Sequence, residues 1–313
     1  MKFKKPKFWD KKKPTFLSYL LLPFSFPLII NNFFLGLSAK NVSYPEIKKI
    51  CIGNIYIGGT GKTPLVIEIF KILKKLNYKT ATIKKFYKEH IDEQKMLKDY
   101  TMLYCLKDRK MALENAIKDN NQIALFDDGL QDKSINYDLK FVCFNSSKWV
   151  GNGLLMPAGP LREKINSISK YDAVFINGDE TNAPNLKLSI KKYNKNIKIF
   201  ESHYKATNAS QFDTSKRYLI FSGIGNPQNF KDTLIQNKFN IIKEIIFPDH
   251  YDYNQSDIDN IKLQAKNLNA RIMTTEKDYT KISSNKNSDI YFLKVELDIK
   301  NKKDLIDYLE LCI

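Results

Sequence analysis

Apolar positions in this chain fall into short continuous runs and longer stretches of helical period, and the two kinds alternate. Ile50, Ile52 and Ile55 make a brief apolar run that predicts a buried strand, and residues 64–76 repeat apolar positions at helical spacing. Further strands are expected at 79–83, where Thr80 and Thr82 alternate, and at 123–126, 139–144, 172–177 and 197–201. A turn is expected at Lys84-Lys85-Phe86-Tyr87 and a helix from about Asp92 to Tyr100. A polar, irregular stretch over 205–216 precedes a second series. It comprises a strand at 217–221, the turn Gly223-Ile224-Gly225-Asn226-Pro227, a helix to about Gln236 and a strand at 241–247. A helix from about Ser256, strands at 270–273 and 290–295 and a C-terminal helix complete it. This alternation predicts βαβ units and an α/β fold with a mostly parallel sheet. No internal repeat is evident.

One stretch departs from the pattern. Residues 15–37 carry no charge and follow the basic run Lys2, Lys4, Lys5, Lys7, Lys11, Lys12 and Lys13. The stretch is long enough to cross a bilayer. Pro23, Pro27 and the pair Asn31-Asn32 interrupt it, so a kinked helix or hairpin lying in the interface fits as well as a spanning helix. A cleaved signal peptide has the same order of parts, and a helix buried on the core is a third reading. An uncleaved anchor is the expected form. Its lysines would attract anionic lipid at about 1 kcal/mol each. The expected organisation is a membrane-associated N-terminal helical segment over 1–40, a core domain over 41–213 and a smaller C-terminal α/β domain over 214–313.

Composition changes this picture little. The 313 residues suit two domains, and the net charge of +17 would suit nucleic acid or an anionic surface. Yet the only arginines are Arg109, Arg162, Arg217 and Arg271. The charge is a lysine bias of the whole chain, with no aromatic-basic module to bind nucleic acid. Cys51, Cys105, Cys143 and Cys312 form no C-x-x-C pair, which argues against a zinc site or a disulfide framework.

The candidate chemistry begins after the first strand, in Ile52-Gly53-Asn54-Ile55-Tyr56-Ile57-Gly58-Gly59-Thr60-Gly61-Lys62-Thr63-Pro64. A glycine-rich turn opening a helix offers unpaired N–H donors and a positive dipole end to phosphate oxygens. The reading is therefore a P-loop NTPase-like core. Gly58, Gly59, Thr60, Gly61, Lys62 and Thr63 would cradle ATP, with Lys62 reaching the β/γ-phosphates and Thr63 binding Mg2+. Tyr56 stands where the full loop pattern has glycine. The plain alternative is a glycine-rich turn with a chance Gly-Lys-Thr. Asp127 and Asp128 end an apolar strand, as the Mg2+-holding carboxylate of a nucleotide site does, although either could simply shape the turn before Gly129. A long loop over 151–163, rich in glycine and proline, has the length of a functional loop.

Five motifs in one order resemble the tetraacyldisaccharide 4'-kinase family. They are Gly53-Asn54 with Gly58-Gly59-Thr60-Gly61-Lys62-Thr63-Pro64, Asp127-Asp128-Gly129-Leu130-Gln131, Pro157-Ala158-Gly159-Pro160-Leu161-Arg162-Glu163, Gly223-Ile224-Gly225-Asn226-Pro227 and Thr274-Thr275-Glu276-Lys277-Asp278. The resemblance implies a bacterial enzyme on the cytoplasmic face of the inner membrane. It would move the γ-phosphoryl of ATP to the 4'-hydroxyl of a tetraacylated glucosamine disaccharide 1-phosphate, a lipid A precursor. It also implies an Asp92–His250 catalytic pair alongside Lys62, and substrate contacts from Asn54, Gln131, Arg162 and Glu163. His250 lies in Pro-Asp-His-Tyr, whereas His90 and His203 have no comparable context. Around Asp92 the family's Gly-Asp-Glu-Pro reads Ile91-Asp92-Glu93-Gln94 here, and an N-cap role for Asp92 stays open.

Two rivals remain at this stage. Partitioning or positioning ATPases of membranes share Gly-Gly-x-Gly-Lys-Thr, but carry lysine before the paired glycines where this chain has Ile57. A basic membrane- or nucleic-acid-binding protein that keeps the loop only for structure is the other. Oligomeric state is not legible.

Overall fold

Period and capping set most element bounds in the computed structural model, which describes residues 5–27, 30, 43–178, 183–282 and 289–313. In chain order the first elements are α1 (Phe16–Leu21), the 3-10 turn Leu22–Ser25, β1 (Lys48–Gly53), α2 (Lys62–Lys75), β2 (Thr80–Lys85), α3 (Ile91–Tyr100), β3 (Leu103–Leu106) and α4 (Arg109–Lys118). Then come β4 (Ile123–Asp127), β5 (Leu139–Asn145), β6 (Ala173–Asn177), α5 (Ala183–Lys191), β7 (Lys198–Ala206), β8 (Arg217–Ser222), α6 (Pro227–Gln236) and β9 (Asn240–Ile246). The chain ends with α7 (Gln255–Asn267), β10 (Arg271–Thr275), α8 (Glu276–Tyr279), β11 (Ile290–Leu293), β12 (Val295–Ile299) and α9 (Lys302–Cys312).

The chain forms two compact units. One holds Lys5–Phe86, Tyr100–His203 and Ile299–Ile313, and the other holds Tyr87–Asp99 and Tyr204–Asp298. In the first, the sheet order is β12-β7-β6-β5-β1-β4-β2-β3, with β1 parallel to both β4 and β5. Ile50, Cys51 and Ile52 of this central strand have no exposed surface, and each such aliphatic side chain contributes roughly 2 kcal/mol by leaving water. The register Ile52↔Asp127 puts the carboxylate that ends β4 beside the end of β1. In the second unit, the order β11-β10-β8-β9 is parallel throughout. Helix α7 starts from a capping box in which Asn254 and Asp257 exchange hydrogen bonds.

Four expectations change. The turn expected at Lys84-Lys85-Phe86-Tyr87 begins two residues late, because β2 runs through Lys85 with the Lys84 charge buried against Asp127 at 2.6 Å. The single strand expected over 290–295 is two strands, β11 and β12, which lie in different sheets. Strand β3 and helix α4 were not anticipated. Each β3 residue is only half-buried, and α4 starts at an Asp108 cap without a strong apolar stripe.

The N-terminal segment is the fourth. Residues 1–4, 28, 29 and 31–40 of the expected segment lie outside the described residues. Among the described residues, no helix is long and apolar enough to cross a membrane. In 16–25 the polarity is inverted: Ser18 and Ser25 are buried, while Phe16, Tyr19, Leu20 and Phe24 are exposed. Asn152 Nδ2 donates to Ser18 Oγ at 3.0 Å, Ser25 Oγ donates to the Leu155 carbonyl at 3.1 Å, and Trp9 Nε1 donates to the Pro157 carbonyl at 2.9 Å. Polar groups thus fasten this segment to the long loop and leave its apolar side outward.

Candidate active site

The glycine-rich loop leaves the C-terminal end of β1, and Asn54 shapes it. This fully buried amide donates to the Gly58 carbonyl at 3.3 Å and to Thr60 Oγ1 at 3.0 Å. Gly58 and Gly61 take φ of 113° and 88°, a left-handed region that only glycine enters at little cost. Tyr56, at the position where the full pattern has glycine, is buried against Leu155 and Leu161 and bonds through its hydroxyl to Asp10. The long loop backs the glycine-rich one. Ile57 N–H donates to the Pro160 carbonyl at 2.9 Å, and Arg162 N–H donates to the Ile55 carbonyl at 2.7 Å.

Lys62 and Thr63 open α2, and the acidic end of β4 faces them. Thr63 Oγ1 donates to Asp127 Oδ2 at 3.1 Å, and Lys62 Nζ lies 3.9 Å from Asp128 Oδ1. The other oxygen, Asp127 Oδ1, is buried with no hydrogen-bond partner among the described residues. An orphaned carboxylate oxygen beside a hydroxyl is a hard-oxygen donor set that suits Mg2+. Asp128 has φ of 60° and receives Arg162 Nη1 at 2.9 Å. Burial would raise the Asp128 carboxyl, but Lys62, Arg162 and Lys84 outweigh it and hold it at about 2. Gln131 Nε2 links the Asn54 carbonyl at 3.1 Å to Glu163 Oε1 at 2.8 Å, and the Tyr171 hydroxyl holds Glu163 Oε2 at 3.1 Å. Of the residues expected to contact substrate, Asn54 and Gln131 therefore serve the loop's own architecture, while Arg162 keeps a partly exposed side chain.

The second unit brings Asp92 and His250 together across 158 positions of sequence. His250 follows β9 with φ of 56°, and its Nδ1 lies 3.0 and 3.1 Å from the two carboxylate oxygens of Asp92. A carboxylate only accepts, so Nδ1 is the donor, and a lone pair on this ring can lie only on Nε2. Asp92 is the second residue of α3 and its side chain is 3% exposed. Among the described backbone donors it accepts the Glu93 N–H at 2.8 Å. Lys281 Nζ at 3.2 Å and Lys277 Nζ at 3.4 Å approach the same carboxylate. Burial alone would raise Asp92, yet the His250 hydrogen bond and the two ammonium groups keep it far below the usual carboxylate range. Burial would likewise lower Lys277, but Asp249, Glu93 and Asp92 raise it above an ordinary lysine.

Residue-by-residue reading missed Lys84, Lys277, Lys281, Arg109 and Asp278. Arg109 Nη2 donates to the Asp128 carbonyl at 2.6 Å and Nη1 to Asp132 Oδ2 at 3.1 Å, fixing the turn after β4. Asp278, fully buried, accepts from Gly223 N–H at 2.9 Å and Thr275 Oγ1 at 2.8 Å, so Thr-Thr-Glu-Lys-Asp holds the Gly223 turn. The motif itself was the available signal for Lys277 and Asp278. The lysine pair that closes an otherwise uncharged strand was the signal for Lys84.

A model of the LpxK family, described as tetraacyldisaccharide-1-P 4'-kinase, matches residues 17–312. The chain is 48% identical over 314 residues to the tetraacyldisaccharide 4'-kinase of Pelagibacter ubique (strain HTCC1062), covering 99% of this chain and 98% of that one. It is 35% identical to the protein of the same name from Rickettsia bellii (strain OSU 85-389), over 95% and 94% of the two chains. Among solved structures, the "apo" form of LpxK from Aquifex aeolicus in complex with ATP superposes with a TM-score of 0.69 at 19% identity. That match covers 95% of this chain and 99% of the other, and it shows a shared fold of the P-loop NTPase-like kind. The chain belongs to the LpxK family of tetraacyldisaccharide 4'-kinases.

Proposed function

We infer that this chain is a tetraacyldisaccharide 4'-kinase of lipid A biosynthesis, which transfers the γ-phosphoryl of ATP to the 4'-hydroxyl of a tetraacylated glucosamine disaccharide 1-phosphate. Near-full-length kinship to enzymes of that name supports the acceptor, and the partitioning-ATPase alternative is not favoured. The observation that carries the chemistry is the Asp92–His250 pair, held by two lysines and separate in sequence from a loop built to grip phosphate.

In this reading the backbone N–H groups of Gly58, Gly59, Thr60 and Gly61 cradle the phosphates, and Lys62 neutralises charge that builds as the γ-phosphoryl separates. Thr63, Asp127 and Asp128 would hold Mg2+, which supplies charge neutralisation across the phosphate oxygens. His250 Nε2 orients the 4'-hydroxyl and takes its proton, while Asp92 fixes the ring and stabilises the imidazolium. The sugar oxygen bonds to the γ-phosphorus, the bond from that phosphorus to the β,γ-bridging oxygen breaks, and ADP leaves. Arg162 offers its guanidinium to an anionic group of a substrate, and Glu163, Gln131 and Asn54 keep it in place.

The site of action proposed is the cytoplasmic face of the bacterial inner membrane. The exposed Phe16, Tyr19, Leu20 and Phe24, with Lys11, Lys12 and Lys13 nearby in sequence, support an interfacial contact with anionic lipid. The test is product analysis. Purified chain with ATP, Mg2+ and the disaccharide 1-phosphate should yield a lipid carrying one further phosphate at the 4'-position. ATP hydrolysis without a phosphorylated lipid would overturn the assignment.

A further inference from the structure

His90 belongs to no motif, yet its ring stacks on that of His250, with centroids 4.5 Å apart and planes at 19°. Glu93 reaches both rings: Oε2 lies 3.5 Å from His90 Nδ1, and Oε1 lies 3.7 Å from His250 Nε2. His90 and Glu93 are three apart where the chain enters α3, which puts them on one face. One ligand atom from each of His90, Glu93 and His250 falls within 4.8 Å of the others, the one such group among the described residues.

We propose that His90, Glu93 and His250 form a binding site for a transition-metal dication, with Zn2+ the best fit, and that its occupancy withdraws His250 from phosphoryl transfer. Two imidazoles and a carboxylate are a zinc-type ligand set that leaves a coordination position open. Imidazole nitrogen discriminates against Mg2+, so the ion that serves ATP does not compete. Asp92 on His250 Nδ1 supplies what ligating histidines regularly have, a carboxylate that fixes the tautomer and turns the other nitrogen outward.

Charge also favours the ion. Around the rings, the carboxylates of Asp92, Glu93, Asp249 and Asp278 outnumber the ammonium groups of Lys277 and Lys281 that pair with them. Lys277 Nζ sits 3.7 Å from Glu93 Oε1 and gives way to the metal. The half-exposed His90 ring rotates out of its stack to bring its nitrogen to the same point, a torsion that is broad for histidine. A metal on Nε2 consumes the lone pair that would accept the hydroxyl proton. The inhibitory part of the proposal therefore rests on the kinase reading, whereas the binding part does not.

The test uses the full chain carrying Cys105→Ser and Cys312→Ser, which removes the partly exposed thiols as competing ligands. Co2+ serves as a spectroscopic probe of binding, and Zn2+ is titrated into the 4'-phosphorylation assay at saturating Mg2+. The expected result is visible Co2+ absorption with two nitrogen ligands, abolished by Zn2+, and inhibition by micromolar Zn2+ that EDTA followed by fresh Mg2+ reverses. His90→Ala should keep its metal-free rate, lose the Co2+ signal and need at least about tenfold more Zn2+ for the same inhibition. Unchanged Zn2+ potency and Co2+ absorption in His90→Ala would overturn the site. A His90-dependent Co2+ signal without inhibition would leave the site standing and overturn its effect on catalysis, and with it the role given to His250.

Discussion

At the scale of residues, the nucleotide site is organised by charges that have been taken out of water in pairs. Lys84 and Asp127 are both buried and 2.6 Å apart. Removing one member of such a pair strands the other, so Lys84→Met should lower the unfolding free energy by about 3 kcal/mol, read from urea denaturation. An unchanged midpoint would mean that water or another cation already compensates Asp127. Lys62 carries a different burden in the proposed mechanism, where its charge acts on the phosphates. Lys62→Ala should cost at least about 10²-fold in kcat at saturating ATP, and should also give up part of the stability that its charge lends to Asp128. Asp128 links the two effects. Its folded value of about 2 lies below the ordinary 3.8, so its stabilisation is complete above about pH 4 and is lost as the pH falls through 2. That contribution is on the order of 2 kcal/mol, and Asp128→Asn should flatten the dependence of the urea midpoint on pH between 2 and 4.

At the scale of elements, legibility in the sequence follows the strength of the periodic signal. β1, β4, β5 and β6 are buried on both faces and read as continuous apolar runs, and α2 shows its period plainly. β3 is half-buried throughout, which leaves no contrast for a pattern to expose. β11 and β12 are separated by Lys294 alone, so their division between two sheets is a tertiary decision invisible to local periodicity. The N-terminal segment is the reverse case, since its apolar character is obvious but the side that faces inward is not. Ser18 and Ser25 point in and the large apolar side chains point out, with Phe16 85% exposed. Replacing Phe16, Leu20 and Phe24 by serine should weaken binding to anionic lipid vesicles while kcat on detergent-dispersed acceptor stays within about twofold, since only interfacial area is lost. Equal vesicle binding in wild type and variant would remove this face from membrane contact.

At the scale of the whole molecule, the two halves of the proposed chemistry are built in different compact units. The phosphate loop, Asp127, Asp128 and Arg162 lie in one, and Asp92, His250, Lys277 and Lys281 in the other. The phosphate loop was readable because its parts are contiguous. The Asp92–His250 pair was reachable only through family resemblance, because 158 positions separate its members and Tyr87–Asp99 joins a unit made otherwise of Tyr204–Asp298. Lys281, which lies in no motif, became visible only once Asp92 was placed beside it. In the proposed mechanism Asp92 and His250 act as one device on the acceptor hydroxyl. The most direct measurement is a double-mutant cycle on initial rates of 4'-phosphorylation with Asp92→Asn, His250→Ala and the double variant at saturating ATP. Each single change should lower kcat by about 10²-fold or more with ATP affinity almost unchanged, and the double variant should lose little beyond either. Fully additive losses, or a wild-type rate in His250→Ala, would contradict it.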